Sequence, residues 1–331
     1  MRITTNSTFT AYQRNITDTQ QRIDRTNQQI TSQKQMIRLS DDAVRLGEIQ
    51  DLNSIIDRNA SYNKNLEEAI TELMNTEEHL ERFANTADSA RLIALDAANP
   101  TNFDKAPVFA RQLRDVLDDL VNQANADFNG RFLFGGTKTT SAAITPVAPE
   151  TTNLPFEIIT EAATPANPSG LRVAFKGNNE TRTINRSASA TEPVNITALE
   201  AFGTGGNEVF QNIINAYNTL AFNSDGSART STDKLTESET VLLQNAVKGL
   251  STSFDSVSEA TARTGSRISR LTAITEQMTE ESFRLKVLRS EREDTDIAAA
   301  SIALRKDEMS LQYSLQVGAK LSQQSLLDFI R

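Results

Sequence analysis

Large apolar residues recur at every seventh position near the N-terminus, and nearly everything between them is polar. The repeat comprises Phe9, Ile16, Ile23, Ile30, Ile37 and Val44. A seven-residue apolar repeat on helix-compatible residues predicts a helix, here over residues 1–44, that lies along another helix. With one large apolar residue in each heptad, this stripe buries too little surface alone to offset the ordering entropy of the chain.

The C-terminal stretch, residues 297–331, continues the same pattern. Its apolar positions are Ile297, Leu304, Leu311, Leu315, Leu321, Leu326, Leu327 and Phe329. We therefore expect the two ends to pair with each other and with neighbouring copies of the chain, and to be weakly folded in an isolated copy. Together the two stripes are the predicted subunit interface.

Proline divides the chain into three parts. All 8 prolines lie between Pro100 and Pro193, and the two flanks have none. Because a proline in a helix interior costs ~3 kcal/mol, the proline-free flanks favour long helices. Apolar periodicity predicts helices over residues 46–98 and 107–125 before the middle part, and over residues 209–220 and 236–293 after it.

Two polar joints interrupt the predicted helices. Ser40 followed by Asp41 and Asp42 predicts the capped and charged start of the second helix. Residues 291–296 (EREDTD) form a charge run, which predicts a solvated joint before the last helix.

The middle of the chain, residues 137–202, loses the helical period and is rich in small and polar residues. The alternation in residues 171–175 (LRVAF) predicts a strand whose hairpin partner, after a turn at 176–180, is 181–186. Residues 131–134, 156–160 and 193–196 are further predicted strands. The predicted fold class is mainly α with a small β insert, in an elongated chain of nested N- and C-terminal helices that form coiled-coil layers around a central β domain.

This nesting predicts three domains. Residues 1–44 and 295–331 form a terminal coiled-coil domain, and residues 45–138 and 205–294 form an α-helical bundle. Residues 139–204 form a small β-rich outer domain. A segment a given distance in sequence from the N-terminus should pair with the segment a similar distance from the C-terminus. Without such pairing, each long helix would leave its apolar stripe in water.

Composition excludes several classes of function. The net charge of −9 argues against a nucleic-acid partner and against an anionic membrane surface. With no Cys and His79 as the single His, the chain has no thiolate chemistry and no multi-His metal site. No segment has the ~20 apolar residues of a membrane span, and the N-terminus lacks the apolar core of a secretory signal. We therefore predict no catalytic, cofactor or metal site.

Four stretches resemble the flagellin superfamily of bacterial axial proteins. Residues 37–43 (IRLSDDA) resemble the joint after the first helix of that superfamily. Residues 129–137 (NGRFLFGGT) and 173–178 (VAFKGN) are similar to segments of the hook-filament junction proteins, the FlgL family. Residues 294–329 resemble the shared C-terminal helix and end in the SLLDF style of that family.

The resemblance implies a structural subunit that joins the hook of the bacterial flagellum to its filament. It implies a homo-oligomeric ring whose partners are a FlgK-type junction protein, flagellin and a FlgN-type export chaperone. It also implies an extracellular location reached without a cleavable signal, by export of the unfolded chain. Filament flagellin itself is the first alternative, a cytosolic coiled-coil adaptor is the second, and an enzyme is the least supported class.

Overall fold

The computed structural model describes residues 2–38 and 41–330, with side chains described for residues 9–38 and 41–320. The helices within these residues are α1 (Arg2–Ser32), α2 (Ala43–Ala97), α3 (Ala106–Ala124), α4 (Ala198–Phe202), α5 (Glu208–Ala221), α6 (Glu237–Glu293) and α7 (Ile297–Ile330). The strands form antiparallel pairs, namely β1 (Asp127–Phe128) with β2 (Arg131–Phe132), β3 (Phe156–Thr160) with β4 (Leu171–Phe175), and β5 (Thr183–Asn185) with β6 (Thr191–Pro193). The predicted fold class, mainly α with a small β insert, is confirmed.

The chain forms two compact units. Unit 1 comprises Met1–Ala60 and Thr279–Arg331, and unit 2 comprises Ser61–Met278. In unit 2, residues from the strands and from the surrounding helices bury their side chains in one shared apolar cluster. The predicted three-domain division stays a prediction. None of the helices among the described residues is long and apolar enough to cross a membrane.

The N-terminal heptad repeat does not continue on one helix, contrary to the sequence-based expectation. Helix α1 ends at Ser32, and Gln33 follows with a φ of 59°, in the left-handed region that a helix cannot contain. Ile37 therefore lies in the joint between α1 and α2, and Val44 lies in the first turn of α2 with 77% of its surface exposed.

The start of α2 carries the two predicted acidic residues. The Oδ1 of Asp42 accepts a hydrogen bond from the Arg45 N–H at 3.0 Å and so caps the first turn of the helix. The preceding Asp41 closes the joint, because its Oδ2 accepts from the N–H groups of Arg38 and Ile37 at 3.1 and 3.2 Å. These two bonds stabilise the ionised form and lower the pKa of Asp41. Ser40 lies outside the described residues.

Strand β4 has a different partner from the one predicted. It pairs with β3, with Phe156 opposite Phe175, whereas residues 183–185 pair with residues 191–193. Of the predicted strand at 193–196, only Pro193 lies in a strand, as the last residue of β6. Of the predicted strand at 131–134, only residues 131–132 form a strand, β2. Residues 133 and 134 instead turn their side chains into the core.

The predicted turn at 176–180 does not form a hairpin because Asn178 bonds elsewhere. Its side chain accepts from the Thr137 N–H at 2.8 Å and donates to the Thr137 Oγ1 at 2.7 Å. Its own N–H donates to the Gly135 carbonyl at 3.2 Å. Two of the stretches that resemble the junction proteins, 129–137 and 173–178, therefore meet and support each other inside unit 2.

The Gly136→Ala substitution is expected to destabilise unit 2 because the contact with Asn178 leaves no room for a side chain. Gly136 has a φ of 69°, and a Cβ there would overlap the Asn178 carbonyl and side-chain oxygens. Left-handed backbone at a non-glycine residue costs about 1–3 kcal/mol, and the overlap adds to that cost. Urea unfolding monitored by circular dichroism measures the loss.

Gly130→Ala is the matched control. Gly130 has nearly the same φ, 73°, but a Cβ there would meet nothing within 4 Å. It therefore carries the backbone strain without the overlap. Equal losses for the two variants would contradict the proposed contact.

Candidate assembly interface

Helices α1 and α7 of unit 1 pack side by side and run antiparallel. The Tyr12 Oη donates to the Ser314 carbonyl at 2.9 Å, and further along α1 the Arg22 guanidinium pairs with Asp307 at 3.2 Å. The contacts thus move backward along α7 as they move forward along α1. The predicted pairing of the two chain ends is observed within one copy of the chain.

The contact face of α1 has two residues in each heptad rather than one. Its less exposed positions alternate in steps of four and three, at Tyr12, Ile16, Thr19, Ile23, Thr26 and Ile30. This spacing is typical of a coiled-coil seam. The threonine and tyrosine positions of the seam were not predicted, because the heptad repeat was recognised from large aliphatic residues and Phe9.

The threonines can occupy the seam because their own helix satisfies their hydroxyls. The Thr19 Oγ1 donates to the Asn15 carbonyl at 2.7 Å, and the Thr26 Oγ1 donates to the Arg22 carbonyl at 2.9 Å. Thr19 is buried. A hydroxyl that bonds back to the preceding turn needs no partner on α7, so the threonine can be buried without an unsatisfied polar atom.

Helix α7 presents a matching seam that alternates leucine with small or polar residues. Its less exposed positions are Ala300, Leu304, Asp307, Leu311, Ser314 and Gly318. Gly318 takes the place that follows Leu304 and Leu311 in the heptad phase, and a Cβ there would overlap the Tyr12 hydroxyl. The large Tyr12 therefore fits opposite the residue without a side chain.

The polar pair in the seam sets the register more than the stability. The Asp307 side chain is 18% exposed while that of Arg22 is 54% exposed. The Arg22 Nη2 also donates to the Thr19 Oγ1 at 3.1 Å. Partly exposed ion pairs contribute about 0–1 kcal/mol. A shift of α7 by one heptad would separate Arg22 from Asp307, so the pair favours the observed alignment.

The segment after the C-terminal end of α1 is hydrogen-bonded to the segment before the N-terminal end of α7. The Gln35 N–H donates to the Glu293 carbonyl at 2.8 Å, and the Thr295 N–H donates to the Gln33 carbonyl at 2.9 Å. Lys34 lies between these bonds, opposite Asp294 in a β-bridge. Of the predicted charged joint at 291–296, residues 291–293 belong to α6 and residues 294–296 form the interruption, which lies beside the interruption after α1.

A second apolar stripe lies on α7 outside the seam. We call it the outer stripe, and it comprises Ile302, Met309, Tyr313 and Val317. Their exposed fractions are 69%, 52%, 67% and 54% respectively. At about 100° of rotation per residue, these positions point away from Leu304 and Leu311. Exposed apolar surface of this kind typically marks a protein contact site.

The predicted interface residues fall into three groups. Half-buried in the seam are Ile16, Ile23, Ile30, Leu304 and Leu311. Five residues are exposed and lie outside the seam, namely Phe9, Ile37, Val44, Ile297 and Leu315. Outside the described side chains are Leu321, Leu326, Leu327 and Phe329. The outer stripe was not predicted, because its residues occupy other heptad positions than Leu304 and Leu311.

Comparison with known proteins gives a match in the N-terminal part of the chain. The family described as the bacterial flagellin N-terminal helical region matches residues 3–139. It is a family of flagellar structural proteins rather than of enzymes. Among curated proteins, none matches this chain.

Solved structures match over most of the chain. A protein of Vibrio parahaemolyticus described as a flagellar hook-associated protein is 21% identical, with a TM-score of 0.60 over 77% of this chain and 100% of that chain. FlgL of Xanthomonas campestris is 12% identical, with a TM-score of 0.52 over 73% of this chain and 99% of that chain. The flagellar junction protein FlgL of Legionella pneumophila is 12% identical, with a TM-score of 0.50 over 76% of this chain and 100% of that chain.

At these identities the likeness to the solved structures is one of fold. It agrees with the resemblance of residues 129–137 and 173–178 to the junction proteins, and the N-terminal match agrees with the resemblance of residues 37–43 to the flagellin superfamily. Residues 3–139 match the bacterial flagellin N-terminal helical region, and most of the chain is similar in fold to a flagellar hook-associated protein.

Proposed function

We propose that this chain is a structural subunit of the bacterial flagellum, which joins hook to filament and assembles with copies of itself through α1 and α7. The observation that carries the proposal is that α7 has apolar residues outside the seam as well as within it. Helix α1 covers the seam, and the outer stripe is exposed. A helix with exposed apolar residues beside a covered seam is suited to pack on a further helical neighbour. The flagellin match and the hook-associated fold support the flagellar setting.

The partners follow from the same role. Copies of the chain form a ring in which the outer stripe of one copy packs on the terminal helices of the next. A FlgK-type protein lies on the hook side of the ring and flagellin on the filament side. A FlgN-type chaperone accompanies the unfolded chain to the export apparatus. The half-buried seam supports export, because a pair of helices that buries little apolar surface unfolds at little cost.

The Met309→Asp and Val317→Asp variants test the outer stripe. A charge buried without a partner is strongly unfavourable, so we expect neither variant to join hook-type ends in a sedimentation assay. Both residues are exposed in the isolated chain, so the free energy of unfolding should change by no more than about 0.5 kcal/mol.

Gln312→Asp is the matched control, because it places the same charge on an exposed polar position of α7 between the two test sites. It should assemble normally. Normal assembly of Met309→Asp and Val317→Asp would contradict the proposed role of the outer stripe.

Filament flagellin is the second candidate, because the matched family is that of flagellin itself. The two candidates differ in how growth ends. A junction subunit should add a short layer to hook-type ends and stop, whereas filament flagellin should grow indefinitely from seeds. A cytosolic adaptor should add to neither.

A further inference from the structure

A cleft in unit 2 is lined by asparagine side chains that no part of the proposed assembly uses. We call it the amide cleft. It lies between the loop at 165–168, helix α5 and the first turns of α6, and it encloses about 360 Å³. Small-molecule sites typically enclose about 300–1,000 Å³. The asparagines that line it are Asn212, Asn215, Asn218, Asn223 and Asn245.

Several of these amides have unused hydrogen-bonding capacity. Asn218 is only 6% exposed, and its Nδ2 donates to the Asn167 Oδ1 at 2.8 Å. Its own Oδ1 is buried without a hydrogen-bond partner in the described chain. This oxygen is closed to solvent, so a ligand in the cleft would meet the amides nearer the rim instead.

Two side-chain amides nearer the rim of the cleft can bond to a ligand. Asn215 accepts from the Gln211 Nε2 at 3.0 Å through its Oδ1, and its Nδ2 makes no hydrogen bond to the described residues. The Asn245 side chain is exposed and makes none to them either. Each free amide offers donors and acceptors side by side, so the ligand should carry groups that both donate and accept.

The cleft carries no free charge among its described lining residues. Glu239 is the ionisable residue there, and its Oε2 accepts from the Thr236 N–H at 2.8 Å and from the Thr236 Oγ1 at 2.9 Å. Its Oε1 pairs with Arg229 at 2.7 Å, where both side chains are almost fully buried. Because this carboxylate is already neutralised and hydrogen-bonded, the cleft favours a neutral ligand over a charged one.

We infer that the amide cleft binds a neutral saccharide of one or two rings. Vicinal hydroxyls donate and accept from adjacent atoms, as the side-chain amides of Asn215 and Asn245 do. The half-buried ring of Phe222 at the same cleft offers an apolar face for the C–H side of a sugar. The asparagines at 212, 215 and 218 span about 9 Å of α5, which suits a disaccharide better than an extended peptide.

Saturation-transfer NMR and calorimetry on the full chain test this inference with lactose, N-acetyllactosamine, chitobiose and maltose as probes. We expect saturable binding of at least one probe, and a loss of affinity of about tenfold or more in the Asn215→Ala/Asn245→Ala double variant. Both positions are exposed, so the variant should fold normally, which its thermal unfolding checks.

Asn122→Ala is the control, because Asn122 is an exposed asparagine on α3 outside the cleft. It should bind the probe as the unchanged chain does. Absence of saturable binding for all four probes would overturn the inference. Undiminished binding by the folded double variant would overturn it as well, because the sugar would then occupy another site.

Discussion

Phe202→Ala is expected to lower the free energy of unfolding of unit 2 by about 3–5 kcal/mol. Phe202 is fully buried, and its ring lies 4.5 Å from that of Phe83, 5.0 Å from Phe134, 5.4 Å from Phe156 and 5.7 Å from Phe210. These four rings come from α2, from the residues after β2, from β3 and from α5. Truncation would therefore leave a cavity at the point where helices and strands meet, and the rigid neighbouring rings would fill it poorly.

Urea unfolding followed by circular dichroism measures this loss. Leu95→Ala is the control, because it truncates an apolar side chain of unit 2 that is 50% exposed. It should change the free energy of unfolding by no more than about 0.5 kcal/mol. Similar losses for the two variants would show that the Phe202 cluster is not the centre of the core.

Lys176→Met is expected to cost a similar amount, about 3–5 kcal/mol, because it leaves a buried carboxylate without its partner. The Lys176 Nζ donates to the Glu157 Oε2 and to the Thr152 carbonyl, both at 2.5 Å. The exposed fractions of the Lys176 and Glu157 side chains are 4% and 11%. Lys248→Met, at an exposed lysine on α6, is the matched control and should be nearly neutral.

The same pair makes the stability of unit 2 depend on pH. Burial alone would raise the pKa of Glu157, but hydrogen bonds from Lys176, Thr151 and Thr152 outweigh it and lower the pKa from 4.5 to about 2. The folded chain thus binds fewer protons than the unfolded chain in this range. The stabilisation by Glu157 is therefore complete above pH 4.5 and is lost as the pH falls toward 2.

The Lys176→Met variant lacks a main cause of the lowered pKa, so its stability should vary less with pH over this range. The difference in unfolding free energy between the unchanged chain and the variant should be largest near neutral pH. It should narrow below pH 4.5, the ordinary pKa of the carboxyl. Urea unfolding at a series of pH values measures it, and a difference that stays constant with pH would contradict the ion-pair account.

The helices of this chain could be predicted closely from apolar periodicity. The prediction of 107–125 for α3 differs from the observed Ala106–Ala124 by one residue at each end, and that of 236–293 for α6 differs by one residue at its start. A long helix repeats its apolar spacing over many turns, so one position that departs from the spacing changes the predicted helix little. The end of α1 could not be predicted, because the apolar step continues through Ile37 and Val44 while the backbone turns at Gln33.

Strand pairing was predicted less well because it depends on contacts distant in sequence. The turn residues at 176–180 suit a hairpin, but Asn178 bonds to Gly135 and Thr137 instead. Nothing local to β4 indicates that its partner is β3, since the intervening loop is ten residues long (161–170). Such a loop has no fixed turn type, so the register follows from the stacking of the Phe175 ring on the buried Phe156 ring, with centroids 4.9 Å apart.

The seam between α1 and α7 was predicted in part. The large aliphatic residues located it, but its other positions hold threonine, tyrosine, alanine, aspartate, serine and glycine, which a search for large aliphatic residues does not find. Thr19 is recognisable as a seam residue only once its hydroxyl is seen to bond to its own helix. Gly318 is recognisable only once Tyr12 is seen opposite it.

The outer stripe of α7 should become covered when copies of the chain assemble. The chain contains no Cys, so a single introduced thiol can report on one position without interference. We would measure the alkylation rate of Met309→Cys in the isolated chain and in assemblies on hook-type ends, with Leu311→Cys in the seam for comparison. We expect Met309→Cys to be alkylated readily in the isolated chain and slowly in assemblies. In the isolated chain, Leu311→Cys should be alkylated more slowly than Met309→Cys. An equal rate for Met309→Cys before and after assembly would contradict the account.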